Sequence, residues 1–520
     1  MFSIFKKKLP FLPTLILRDY AVLGAGIAVF VALASSTVTK FSIWFDEAFG
    51  SYLIRFDLFE LTRYTAYDVH PPLYYWLLKG WTEVFGNTEL GMRSMSIFFG
   101  AVTLIFAFGL VMRLFGRRAA YLSLLFMVLS PLFIRYGQEA RMYTVLTSII
   151  LAATYLLVYA MEKAKRRAVW VAYGVLLALG MLTQYFAALA WLAHWAWRAL
   201  IIKSEGGNFK QKFFTRDWII AHAVAIGVFL PWLPWVIRQF ADVQGNGFWI
   251  PAVSSATVPD FLTNFLLFTN HDGAKSWLAA GFYAIFGVTI YLIIRILNRI
   301  KGKEQQNYLL LVCMVVVPIV LLLALSMPPL RSAFIDRYLM AAIMFLPILI
   351  AVSIVIAARS ESRKLLIGFG AIIIVMMGFG IAEQARLGNY NKSTNQSNNV
   401  RMLVEKIREQ TPSGVPILAN TPWTFYEAVV YERDDSPVYF ADETTKYEFG
   451  SLRMLKENDD HKIKNVEQFA DAHDSFWVIG NIKGGPLNKI RNDWNVLDEI
   501  TINDDVSGKP LFQAVRVSAE

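Results

Sequence analysis

The sequence has little charge and almost no cysteine. Of its 520 residues, 17% are Asp, Glu, Lys or Arg and 56% are hydrophobic. A soluble domain carries about 25% charged residues, so the composition excludes an ordinary soluble enzyme and marks a polytopic membrane protein. The single cysteine, Cys313, lies in an apolar run. It excludes an intrachain disulfide framework and a thiolate metal cluster, and reads as a small buried apolar residue. A Gly-rich phosphate loop is lacking, and so is an internal repeat. The formal net charge is +10, but Lys and Arg recur in short clusters between apolar segments. That spacing records membrane topology and argues against nucleic acid as a partner.

Ionisable residues are also scarce within the apolar runs, where His194 and His222 stand out and read as packed or interfacial histidines. Transporters and pumps place charged groups near the midplane. A reaction at the membrane surface therefore fits this chain better than passage through a midplane site.

What the sequence does have is a succession of apolar runs long enough for a hydrocarbon core of about 30 Å. They lie near residues 20–39, 94–112, 119–134, 143–160, 168–183, 185–202, 218–236, 277–297, 308–326, 338–357 and 365–382, about eleven spans. Basic clusters fall in alternate connections: Lys6, Lys7 and Lys8; Arg113, Arg117 and Arg118; Lys163, Lys165, Arg166 and Arg167; Lys203, Lys210, Lys212 and Arg216; Arg295, Arg299, Lys301 and Lys303; Arg359, Arg363 and Lys364. The positive-inside rule makes that side cytoplasmic, with the N-terminus. Residues 40–93, 135–142, 238–276, 327–337 and the tail are then expected on the extracytoplasmic face of the cell membrane. A basic lead and "ALASS" would suit a signal peptide, but the first run is long for one.

After "NYNKSTNQSNN", a polar linker, helix-like stretches ("VRMLVEKIREQ", "TFYEAVVYE") alternate with short apolar runs ("VPILA", "PVYF", "SFWVIG", "LFQAVRV"). This pattern predicts a membrane domain over 1–389 and a soluble α/β domain over 390–520. The sequons at Asn391 and Asn395 read as chance matches in an Asn- and Ser-rich linker.

The polar groups suited to chemistry gather in the predicted outer loops. Asp46 and Glu47 follow "IWF" just past the first run, and Asp68 and His70 precede Pro71 and Pro72. The stretch "LYYWLLKGWTEVF" after them has Leu73, Trp76, Leu77, Trp81 and Phe85 near helical spacing, which predicts an aromatic helix lying in the interface. "RYGQEARMYT" offers Arg135, Glu139 and Arg141, and "MPPLRSAFIDRYLM" offers Arg331, Asp336 and Arg337. An Arg at the outer end of a span runs against the positive-inside trend and needs a partner. A lipid phosphate, bound bidentately by guanidinium, is one such partner; a structural pairing of Arg337 with Asp336 or Glu139 is the other. Tyr143 and Tyr338, in the same two stretches, join the candidate substrate contacts.

An Asp-Glu pair past the first span, a "DVHPPL", a "QEARMY" turn and a late "RYL" together resemble the GT-C membrane glycosyltransferases. The chain is most similar to their branch of protein O-mannosyltransferases and bacterial aminoarabinose transferases. That resemblance implies the GT-C fold, a donor sugar on a polyprenyl phosphate, reaction on the outer face, Asp46 as base and Glu139 as the second acidic position. It places Arg141 and Arg337 at the lipid phosphate. Where aminoarabinose transferases have a lysine before the Pro-Pro, this chain has His70, as protein mannosyltransferases do. The tail differs from theirs, which puts a protein acceptor in question; a lipid, a glycan or a protein hydroxyl all stay open.

The residues support this chemistry on physical grounds too. A carboxylate within hydrogen-bond reach can take the acceptor proton, and cations aimed at the leaving phosphate, from Arg141, Arg337 or His70, lower the barrier. Direct displacement assisted by one base inverts the anomeric centre. Asp46, Glu47, Asp68, His70 and Glu139 include ligand types for a divalent cation, but their spacing specifies none. The competing readings are a flippase for a polyprenyl-linked sugar, which needs no base at position 46, and a polymerase using a diphosphate-linked donor.

Overall fold

The computed structural model describes residues 15–162, 167–246, 250–269, 276–387, 400–411, 414–445, 452–481, 493–503 and 508–518. Among the described residues, eight helices are long and apolar enough to cross a membrane: Leu17–Ser35, Glu89–Phe115, Tyr143–Glu162, Arg216–Gln244, Ala280–Arg299, Gly302–Leu325, Met340–Ala357 and Arg363–Leu387. A ninth span arises if Arg117–Val128 and Pro131–Gly137, bent by 64°, count as one. The protein is a polytopic helical membrane protein. Fewer spans qualify than the eleven apolar runs, for two reasons. Arg167–Thr183 has 17 residues, at the short limit for a full crossing. Ala187–Glu205 carries Trp191, His194, Trp195, Trp197 and Arg198, which dilute its hydropathy.

The described residues divide into two compact units. The first comprises Met1–Ser36, Ser96–Gln138 and Met142–Arg386, and the second Thr37–Met95, Glu139–Arg141 and Leu387–Glu520. At the centre of the first lies Met340–Ala357, apolar on every face and almost wholly buried, as a helix without a polar side must be. It packs on Arg117–Val128 and Gly302–Leu325. Peripheral helices leave large side chains bare, Leu365, Ile367 and Val375 among them, a surface suited to lipid and not to water. Small residues permit close helix contact: a Cβ on Gly174 would lie 2.1 Å from the Ala221 carbonyl oxygen.

Several buried polar groups in this unit have partners close by. His194 lies between the Thr154 hydroxyl at 2.9 Å and the Tyr173 hydroxyl at 3.0 Å, and His222 accepts from the Trp195 indole at 2.7 Å. Asp19 accepts from Arg117 at 3.1 Å and Tyr121 at 2.7 Å. Arg198 belongs with the histidines as an ionisable residue inside the 185–202 run. Its guanidinium donates to the carbonyls of Lys212 at 2.8 Å and Phe213 at 2.9 Å and lies 4.5 Å from the Trp218 ring.

In the second unit the tail forms a six-stranded sheet ordered β3-β2-β1-β4-β6-β5. The strands are β1 (Ile417–Ala419), β2 (Val438–Ala441), β3 (Lys462–Ile463), β4 (Phe476–Asn481), β5 (Asn495–Asn503) and β6 (Pro510–Ser518). The first four pair in parallel and the last two antiparallel, with Leu418, Phe476, Val478, Val515 and Val517 in the core. The four apolar runs read from the sequence are β1, β2, β4 and β6. Helix Val400–Gln410 buries Val400, Leu403, Val404 and Ile407, the i, i+3, i+4, i+7 stripe of an amphipathic helix. Asn391 and Asn395 lie outside the described residues.

The same unit joins the stretch after residue 37 to the tail through aromatic contacts. Helix Phe45–Leu53 packs on helix Pro422–Val429, with Phe45 and Trp423 centroids 4.5 Å apart and Tyr52 within 5.7 Å of Phe425 and 5.5 Å of Tyr426. Phe425, Tyr426 and Trp477 are core residues, whereas Trp423 keeps 38% of its surface exposed.

Candidate active site

The chain is extended at Trp44 and turns into helix at Phe45, placing Asp46 and Glu47 in the first turn, where the helix dipole favours carboxylates. Adjacent helical side chains diverge by about 100°, and the two acids meet different surroundings. Glu47 is buried. It takes Arg93 bidentately, Nε to Oε1 at 2.9 Å and Nη2 to Oε2 at 2.6 Å, accepts from the Ala140 amide at 2.8 Å, and reaches back to the Trp44 amide at 3.4 Å. Arg93 also donates to the carbonyls of Val38, Phe41 and Ser42 at 2.6, 2.9 and 3.2 Å. With its oxygens so engaged, Glu47 anchors the helix start and is poorly placed for proton transfer.

The Asp46 side chain is instead 23% exposed, with Oδ2 3.9 Å from Nη2 of Arg141. Arg141 itself is buried and held on three sides. Its Nη1 donates to the Asp46 carbonyl at 3.1 Å and the Tyr75 hydroxyl at 3.2 Å, and its Nη2 faces Nε2 of His70 at 3.1 Å. His70 Nδ1 lies 2.9 Å from Asp68. Guanidinium has no acceptor, so Nε2 must be the bare nitrogen and Nδ1 must carry the proton given to Asp68. Asp68, His70, Arg141 and Asp46 thus form one chain of contacts. Burial pushes the Tyr75 hydroxyl well above its ordinary pKa of 10.0, keeping it protonated beside Arg141.

The helix carrying Tyr75, Leu73–Phe85, turns Tyr74, Tyr75, Leu78 and Thr82 inward and leaves Trp76, Val84 and Phe85 exposed. Pro72 is its N-cap.

The family described as dolichyl-phosphate-mannose-protein mannosyltransferase matches residues 69–235. The undecaprenyl phosphate-alpha-4-amino-4-deoxy-L-arabinose arabinosyl transferase of Pseudomonas savastanoi pv. phaseolicola is 28% identical over 192 residues, 35% of this chain and 34% of that protein. The matched stretch therefore spans about a third of that relative. The structure of ArnT from Cupriavidus metallidurans bound to undecaprenyl phosphate superposes with a TM-score of 0.60 at 12% identity, covering 96% of this chain and 98% of that one. The chain has the GT-C fold. An archaeal GT-C relative in shape, the oligosaccharyltransferase AglB from Archaeoglobus fulgidus in complex with an inhibitory peptide and a dolichol-phosphate, gives a TM-score of 0.52 at 12% identity, covering 90% of this chain and 70% of that one.

On this GT-C frame the structure brings Asp46, Glu47, Asp68, His70, Glu139 and Arg141 into one unit. Glu139 is buried on the turn that also presents the Ala140 amide and Arg141. Tyr143, Arg331, Arg337 and Tyr338 belong to the other unit. There Tyr143 packs edge-on against Tyr136 at 4.8 Å and Tyr338 stacks on Phe186 at 4.1 Å. Arg337 is buried in the turn Asp336–Tyr338, and Arg331 is exposed. Asp336, also buried, accepts from the Asn264 amide. Burial raises its carboxyl from the ordinary 3.8 to about 7, against the opposing pull of Asn264 and Arg337.

These distances bear on three expectations. Arg141, expected at the lipid phosphate, is enclosed by Asp46, Tyr75 and His70. His70, a candidate cation for that phosphate, turns its bare nitrogen to Arg141 at 3.1 Å. The divalent cation allowed by composition meets no ligand set: among the described residues no group of three or more His, Cys, Asp or Glu could hold a metal ion, Glu47 being taken by Arg93 and Asp68 by His70. Sequence reading missed Arg93 and Tyr75. Arg93 carries the signal already applied to Arg331 and Arg337, a cation at the expected outer end of an apolar run. Tyr75 carries none, since its neighbours are equally aromatic.

Proposed function

We propose that this GT-C chain is a glycosyltransferase that moves a sugar from a polyprenyl-phosphate donor to an acceptor hydroxyl on the extracytoplasmic face, with inversion. The observation that carries the reading is the contrast between neighbours: Glu47 is sealed by Arg93, while Asp46 stays partly open with a buried guanidinium fixed behind it.

In this reading Asp46 takes the proton from the acceptor hydroxyl as its oxygen bonds to the anomeric carbon. The bond from that carbon to the phosphate oxygen breaks, and its electron pair leaves with the polyprenyl phosphate. A single base on the acceptor side gives inversion. Arg141 holds the Asp46 backbone and supplies positive potential beside the reacting groups, and the His70–Asp68 pair keeps it aimed. Arg331, exposed, and Arg337 are the cations proposed for the donor phosphate, with Tyr143 and Tyr338 as further substrate contacts and Glu139 as the second acidic group.

The test is transfer of labelled sugar from a panel of polyprenyl-phosphate sugars in proteoliposomes, with wild type and Asp46→Asn compared at equal folded protein. Loss of about 100-fold or more with donor binding retained, on the order of the general-base contribution, is the expected result. Normal transfer by Asp46→Asn, or a wild type that moves the lipid between leaflets without cleaving it, would overturn the proposal.

A further inference from the structure

We propose that the tail is a clamp on the segment leading to Asp46, with Arg401 and Tyr431 as positioning residues for that carboxylate; the proposal rests on the glycosyltransferase reading above. Residues 38–44 have no regular secondary structure apart from a turn, yet side chains hold five of their seven carbonyls and the amides of Ile43 and Trp44. Arg93 takes the carbonyls of Val38, Phe41 and Ser42. Arg401, on the first tail helix, takes those of Thr39 at 3.0 Å and Lys40 at 3.3 Å. The Tyr431 hydroxyl accepts from the Ile43 amide at 2.7 Å, and Glu47 accepts from the Trp44 amide.

Glu89 ties the tail's two contributions together. It accepts from the Tyr431 hydroxyl and, at 2.7 Å, from Arg401. The hydroxyl of Tyr431 thereby has both roles filled, as acceptor from Ile43 and donor to Glu89. Arg55 adds a bond to the Val429 carbonyl at 3.3 Å, and Phe45, beside Asp46, rests on Trp423. Seven consecutive residues of irregular chain held in this way form a rigid approach to a carboxylate whose placement sets the rate. Displacement of a reacting group by 1 Å costs on the order of 100-fold.

Tyr431→Phe removes one hydroxyl and keeps the ring; Arg401→Gln removes the charge and Arg401→Lys keeps it. Expected for Tyr431→Phe and Arg401→Gln is a fall in kcat of about 10- to 50-fold with KM for donor and acceptor within about threefold, the pattern of a misplaced group and not of lost binding. Arg401→Lys recovers part of the loss. Amide hydrogen exchange over residues 38–48 rises in the two damaging variants while exchange in β1 and β4 stays as in wild type. Combined with Asp46→Asn, neither variant lowers the residual rate further, because each acts through that residue.

Unchanged kcat in both variants overturns the clamp, and so does exchange that rises through the whole tail or a loss that multiplies with that of Asp46→Asn. If wild-type protein transfers no sugar, the glycosyltransferase reading fails. The exchange pattern over 38–48 then decides by itself whether Arg401 and Tyr431 hold the segment.

Discussion

The span-rich unit and the unit of first loop plus tail both bury charge, but they connect it differently. In the first, several buried polar groups keep to small separate sets: Asp19 with Arg117 and Tyr121, His194 with Thr154 and Tyr173, Arg198 with two carbonyls. In the second, Arg93, Glu47 and the Ala140 amide run into the turn that carries Arg141, and Arg141 leads to His70, Asp68 and Asp46. Isolated pairs stabilise one packing contact each. A connected set fixes the position of several groups at once, which is what a reacting carboxylate requires.

The contrast breaks most sharply at Arg93. Arg93→Met leaves Glu47 buried without its charge partner, and removing one member of such a pair costs about 3–5 kcal/mol. Loss of folded protein, or a large drop in melting midpoint in detergent, is the expected outcome; Glu47→Gln fails in the same way.

Arg141→Lys comes next. It keeps the charge and loses the fork that reaches Asp46, Tyr75 and His70 together. Transfer is expected to fall about 10- to 100-fold, equivalent to about 1.4–2.7 kcal/mol in the barrier, with melting little changed. Steady-state kinetics in proteoliposomes measure it.

Asp336 tests the span-rich unit by pH. In the unfolded chain its carboxyl ionises near 3.8, whereas in the folded protein it keeps its proton to about 7. Folding therefore takes up a proton between roughly pH 4 and 7, so stability declines as pH rises through that window and the decline is complete above it. Melting curves from pH 4.5 to 8 are expected to show the decline in wild type and less of it in Asp336→Asn, which stays neutral throughout. The smallest effect is Thr154→Val, which removes one of the two hydrogen bonds to His194 at a cost of about 1 kcal/mol and leaves transfer unchanged.

Much of the fold could be read from the sequence because lipid imposes a strong rule: long apolar runs become spans, and the eleven runs coincide with helices. In the tail, β1, β2, β4 and β6 showed as apolar runs because they are buried. β5 did not, since "NVLDEITIN" is an edge strand with most of its side chains exposed. At the site, Asp46, His70 and Arg141 were legible because charge is scarce around them. The different surroundings of Asp46 and Glu47 were not, since they depend on a partner 46 residues away in sequence. The hold on Ile43 by Tyr431 spans 388 residues, and no local pattern announces it.

That separation also orders events during synthesis. Residues 43–55 leave the ribosome well before Tyr431 and Val429, their partners at separations of 388 and 374 residues, which follow only after most of the membrane segments. At about 5–20 residues per second, the first loop waits roughly 20–80 s for its support. The stretch that carries Asp46 is thus made well before the residues that hold it, and it gains the support of Tyr431 and Val429 only once the tail has folded.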